Sequence, residues 1–121
     1  MSDLEQARTL LGAAGRDFSA LRGMRDTAVF ADEIFGFHAQ QAAEKLLKAW
    51  LALLGEIYPQ THDLGRLLKL LEAREAGAAR FQELIEYNVY AVQLRYEAYD
   101  FDAEPLDREE VLRRVEALLK Q

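Results

Sequence analysis

Apolar residues along the first two dozen positions recur in alternating steps of three and four. Leu4, Ala7, Leu11, Ala14, Phe18 and Leu21 therefore fall on one stripe of a helix. Ser2 with Glu5 fits a capping box that starts it, and the pattern fades near Gly23–Thr27. Gly12 and Gly15, each costing about 1 kcal/mol against Ala inside a helix, suggest close backbone approach or a loosened turn. A second helix is predicted from Asp32 to Leu54. Ala39, Ala43, Leu46, Leu47, Trp50, Leu53 and Leu54 share one face, Gln40, Gln41, Glu44, Lys45 and Lys48 fall opposite, and His38 lies at the border. Gly55 ends it, and Tyr58-Pro59 forces an extended link.

Thr61 or Asp63 is placed to cap a short third helix with Leu64, Leu67, Leu68 and Leu71 at helical spacing. After a break at Gly77, a fourth helix is expected over Ala79–Tyr96, aligning Phe81, Ile85, Val92 and Tyr96, with Asn88 and Arg95 at the edge of that face. The acidic stretch from Asp100 to Pro105 reads as a loop. Asp107 with Glu110 forms another capping box, and Leu106 with Val111 a hydrophobic staple. Behind them a fifth helix buries Val111 or Leu112, Val115, Leu118 and Leu119. No segment alternates in the manner of a strand, and no repeat is present. Short links favour antiparallel neighbours, so the expectation is one all-α domain over residues 1–121, an up-and-down bundle of four to five helices.

Composition narrows the function. Half of the residues are hydrophobic and 30% are charged, enough for a core with a wetted surface. No apolar run is long enough to cross a bilayer, and the N-terminus lacks the basic and apolar blocks of a signal peptide, so no membrane association is expected. The absence of cysteine suits a cytoplasmic location. With 21 acidic against 15 basic residues, the net charge of −6 argues against an autonomous DNA binder. It leaves room for a local patch that holds a nucleotide or RNA.

Candidate chemistry is sparse. No phosphate loop, nucleophile elbow or zinc-protease motif occurs, and neither His38 nor His62 has a second ligand at a usual metal spacing. No metal or other cofactor is therefore expected. His38, Gln41 and Lys45, spaced i, i+3, i+7, can converge on one ligand or partner surface, against the plainer reading of a solvated helix face. On that plainer reading Glu44 and Lys48 are only a helix-stabilising i, i+4 pair. His62, at a helix start, is expected as a neutral ring that either serves acid–base chemistry or simply fixes the turn. Asn88 and Arg95 sit where Tyr87, Tyr90, Tyr96, Tyr99 and Phe101 crowd together, which fits an internal role or an interface equally well.

Three segments in this order resemble the HEPN domain family (higher eukaryotes and prokaryotes nucleotide-binding). They are Phe37-His38-Ala39-Gln40-Gln41-Ala42-Ala43-Glu44-Lys45-Leu46-Leu47-Lys48-Ala49, then Pro59-Gln60-Thr61-His62-Asp63-Leu64, then Tyr90-Ala91-Val92-Gln93-Leu94-Arg95-Tyr96. The flanking helices agree in pattern only. The resemblance implies a helical bundle, commonly a homodimer, whose gene is often paired with that of a minimal nucleotidyltransferase in toxin–antitoxin-like modules. Many members of the wider superfamily are metal-independent ribonucleases. Their signature is an arginine and, after four to six intervening residues, a histidine; in the toxin branch a tyrosine two residues further on can be modified by the partner. Here Arg95 matches the arginine, but Asp100 stands where the histidine is expected and Asp102 where the tyrosine would be. Neither His38 nor His62 has an arginine at the matching upstream positions. An ionised aspartate would repel the scissile phosphate and cannot shuttle a proton as imidazole does. No catalytic residue is therefore assigned. The expected protein is a partner subunit that dimerises, pairs with a nucleotidyltransferase and holds a nucleotide or RNA near His38, Gln41, Lys45, His62, Asn88 and Arg95. The rival is a divergent metal-independent ribonuclease.

Overall fold

The computed structural model describes residues 3–26, 29–90 and 106–121. Arg95, Asp100, Asp102, the expected loop to Pro105 and the Ser2 cap lie outside them. Among the described residues there are four α-helices, one 3₁₀ helix and a short α-helical stretch at 88–90 that follows it, without strands. The α-helices are α1 (Asp3–Gly23), α2 (Asp32–Leu53), α3 (Leu64–Glu72) and α4 (Arg108–Leu119), and the 3₁₀ helix spans Ala76–Tyr87. The expected all-α bundle is the observed fold. None of these helices is long and apolar enough to cross a membrane.

Helix ends follow the local chemistry. The Asp63 side chain caps α3 by accepting from Gly65 N, while Thr61 Oγ1 accepts from Asp63 N, so both candidate capping residues are used. Asp107 caps α4 through Glu110 N. The reciprocal arm of that box is diverted, because the Glu110 carboxylate accepts from Arg114 instead. At the end of α2, Gly55 takes the left-handed region at φ 77°, and Gly55 N and Glu56 N return to Ala52 O and Leu51 O in a Schellman arrangement. Ala31, at the start of α2, supplies no side-chain cap; Asp32 and Glu33 place negative charge on that end instead.

Helix α2 is the centre of the bundle. Its buried set runs right round the helix, from Phe35, Ala39 and Ala43 to Gln40, Glu44 and Lys48. Cross-links fix α1 antiparallel to it: Asp17 of α1 meets Lys45, while Gln6, a turn from the start of α1, donates to Tyr58 beyond the end of α2. Ala7, Ala14, Phe18 and Leu21 are buried as the stripe predicts. Leu4, Leu11 and Leu53 are corrections, being exposed. Leu11 and Leu53 rim an open groove with Trp50, Leu118 and Leu119. The expected loosening at Gly12 and Gly15 is absent, since α1 runs unbroken through both, and no neighbour packs closely against either.

The fourth helix is the larger correction. Residues from Ala76 to Tyr87 form a 3₁₀ helix, and Gly77 lies inside its first turn rather than breaking the chain. The reason is a three-residue rhythm. Ala78, Phe81, Leu84 and Tyr87 are all buried, and side chains three apart eclipse one another in a 3₁₀ helix; Tyr90, also buried, lies in the α-helical stretch that follows. Ile85, which α-helical spacing would align with Phe81, is exposed. Phe81 packs edge-on against Trp50 of α2, ring centroids 6.0 Å apart.

A buried arginine ties the two halves of the chain together. Arg108 opens α4, yet its guanidinium donates to the carbonyls of Met24 and Phe30 and to Asp32 Oδ1, and stacks over the Phe35 ring at 4.9 Å. Asp32 Oδ2 also accepts from Leu106 N. One further contact leaves no slack. A Cβ built on Gly36 would lie 2.5 Å from Tyr90 Cγ, so the Tyr90 ring rests on the bare backbone of α2. Ala ordinarily gains about 1 kcal/mol over Gly inside a helix. Here Gly36→Ala is expected to reverse that sign and destabilise the fold by about 1–3 kcal/mol through overpacking. Chemical denaturation checks it; a stabilised variant would contradict the packing.

Candidate functional site

The polar side of α2 is not the solvated face that amphipathic spacing suggests. Because α2 has neighbours on every side, its Gln40, Glu44 and Lys48 abut the link into α3 and are all buried. Burying an ionised carboxylate is costly unless donors surround it, and Glu44 is surrounded. Its Oε1 accepts from Gln40 Nε2 at 3.0 Å and from His62 Nδ1 at 2.9 Å, and its Oε2 accepts from Lys48 Nζ at 3.0 Å. Burial pushes the Glu44 pKa up, but the hydrogen bonds from Lys48, Gln40 and His62 and the charge of Lys48 outweigh it and hold the carboxyl below its ordinary value. The same Gln40 amide donates to the main-chain carbonyl of His62 at 2.9 Å, and Gln41 Nε2 donates to Gln40 Oε1 at 2.8 Å. Lys48 also lies over the Tyr58 ring, 5.6 Å from its centroid.

The six sequence-derived candidates are thus divided among separate settings. Lys45 Nζ donates to Asp17 Oδ2 of α1 at 2.7 Å, and His38 Nδ1 stands 3.8 Å from Asp17 Oδ1, its ring edge-on to Phe37. Gln41 turns instead to Gln40, so the i, i+3, i+7 stripe does not gather on one point. His62 joins Glu44. Asn88 is committed to α3 by both ends of its amide: Oδ1 accepts from Leu64 N at 2.8 Å, and Nδ2 donates to Asp63 Oδ1 at 2.9 Å. Arg95 lies outside the described residues. Of its aromatic neighbours, Tyr87 and Tyr90 are buried in the core, and Tyr96, Tyr99 and Phe101 lie outside the described residues.

Sequence reasoning missed the burial of Gln40, Glu44 and Lys48 and two arginines of α4. Arg114 gathers Glu83, Glu86 and Glu110 and donates to the Tyr87 hydroxyl at 3.0 Å. Burial pushes the Tyr87 hydroxyl pKa up against the pull of Arg114. A signal for Arg108 was present in the sequence: a cation directly after the Asp107 cap opposes the helix dipole and needs acceptors elsewhere. Among the described residues no group of three or more His, Asp or Glu is disposed to hold a metal ion.

Fold and site together define an all-α domain organised around a polar seam between its second and third helices. A model of the HEPN domain matches residues 4–121, including both flanks where the sequence agrees in pattern alone, and the chain belongs to that family. Membership supports a nucleotide- or RNA-related role in general. No curated protein and no solved structure matches the chain.

The seam makes stability depend on pH with a definite sign. Glu44 has a lower pKa folded than its ordinary value of 4.5, so its pairing contributes fully above that value and is lost as the pH falls through the folded one. Glu44→Gln should therefore be less stable than the parent near neutrality, and its stability should fall less steeply on acidification below about pH 5. Urea midpoints measured across that range give the comparison. Parallel curves for the two proteins would remove Glu44 from the account.

Proposed function

We propose that this protein is a non-nucleolytic HEPN subunit that forms a homodimer, pairs with a minimal nucleotidyltransferase in a toxin–antitoxin-like module, and engages a nucleotide or RNA. The observation that carries the reading is Asp100, which stands in the position where ribonucleolytic relatives need a histidine after Arg95. A carboxylate there is ionised near neutrality and opposes the approach of a phosphate. The two histidines of the chain have other engagements: His62 is bonded to Glu44, and His38 lies beside Asp17. Lys45 and Lys48 are each matched by a carboxylate, so they bring little free charge to a polyphosphate. Such a surface favours recognition through shape and hydrogen bonds over electrostatic capture of nucleic acid.

Light scattering coupled to size exclusion, on the protein alone and co-expressed with the product of its neighbouring gene, tests this directly. A dimer that co-elutes with that partner and leaves RNA intact in the absence of metal is the expected result. A strict monomer that ignores the partner contradicts the reading. So does metal-independent RNA cleavage that Arg95→Ala abolishes.

A further inference from the structure

The seam does more than close the α2–α3 joint. An apolar trio at positions 40, 44 and 48 would seal the same surface without desolvating charge. Instead the chain buries a carboxylate and uses one of its oxygens to hold an imidazole that is 55% exposed. That imidazole is fixed at two points, through Nδ1 to Glu44 and through its own peptide carbonyl to Gln40. The backbone immediately after it is clamped as well. Asp63 caps α3, and Asn88 grips both Asp63 and Leu64.

The tautomer follows from the carboxylate. Glu44 is held in its ionised form and has no proton to offer, so His62 Nδ1 must carry one and donate it. On the neutral ring the lone pair is then on Nε2, for which the structure gives no hydrogen-bond partner among the described residues. A carboxylate that sets the tautomer and orientation of a half-exposed histidine whose other nitrogen has no described protein partner is the arrangement by which proteins prepare an imidazole to meet a ligand.

We propose that His62, oriented by Glu44, is a binding residue that accepts a hydrogen bond through Nε2 from a ribose hydroxyl of a bound nucleotide or RNA. The electrostatics select a hydroxyl over a phosphate. A neutral ring nitrogen offers a phosphate oxygen only lone-pair repulsion, the Glu44 carboxylate is bonded to the same ring, and the Lys48 ammonium is spent on Glu44. The choice of ribose rests on the nucleotide- or RNA-related role in the proposed function; the prepared acceptor does not.

Nitrogen-15 NMR of the histidine rings, with and without ligand, is the test. In the free protein His62 should be the Nδ1–H tautomer, and Glu44→Gln should let both tautomers populate. Single-stranded oligoadenylate should shift the His62 Nε2 resonance, its deoxy counterpart much less, and ATP in a parallel titration distinguishes a mononucleotide site from an RNA site. His62→Ala, which also takes a donor from Glu44 and so lowers the thermal melt, should at a temperature where the variant is still folded weaken the ribose-bearing ligand by about tenfold, the worth of one good hydrogen bond, while leaving its deoxy counterpart unchanged. An Nε2–H tautomer in the free protein overturns the proposal. So does RNA or ATP that binds equally well to His62→Ala, a result that leaves the proposed function standing; binding of neither ligand by a protein that still dimerises and pairs with a nucleotidyltransferase overturns the proposal too, and with it the ligand-binding part of the proposed function but not the partner part. Conversely, a monomer that still shows the ribose-dependent shift retains the site and removes the partner reading.

Discussion

An ionised carboxylate taken out of water costs several kcal/mol unless donors replace its hydration, and the centre of this bundle is arranged to supply them. Glu44 faces the start of α3, and each of its three donors joins a different part of the chain to that point. Lys48 comes from the next turn of α2, Gln40 from the preceding turn, and His62 from the link. Gln40 carries the additional duty of holding the His62 carbonyl, so the link is fixed in backbone and side chain at once. Removing any one partner leaves the others desolvated, which is why the group acts as a unit.

The same logic sets the order of the surrounding elements. Helix α2 can bury polar residues only because it is covered on all sides, by α1 through Asp17 and Lys45, by α3 through the seam, and by the 3₁₀ helix through Phe81 and Trp50. Arg108 closes the opposite end by filling the carbonyls left open where α1 gives way to α2. The positions that remain exposed and chemically distinctive are therefore few. Among the described residues, His62 is the histidine whose orientation is set by a buried carboxylate.

Much of this organisation could be read from the chain. The boundaries of α1, α2, α3 and α4 followed from apolar spacing, from Asp63 and Asp107 as caps and from Gly55 as a stop. The resemblance carried by the 37–49 and 59–64 segments led to the right family. What escaped was the second side of a central helix. Helical spacing assigns Gln40, Glu44 and Lys48 to a polar face but cannot say that α3 will cover it. Likewise the steps from Ala78 through Phe81, Leu84 and Tyr87 to Tyr90 were legible as period three. They were masked because Phe81 and Ile85 also satisfy an α-helical step. Gly36 carried no local signal at all, since its role depends on a ring more than fifty positions away.

Family membership gives the general direction, toward nucleotides or RNA, and the proposed contact at His62 would meet such a ligand by hydrogen bonding rather than by charge. That contact depends on Glu44 being energetically coupled to its partners and not merely near them. A double-mutant cycle on folding stability with Glu44→Gln and Lys48→Met measures that coupling directly. The account predicts an interaction energy of about 1–3 kcal/mol, as for contacting members of one buried network, whereas additivity within about 0.3 kcal/mol would show that the two residues do not depend on each other.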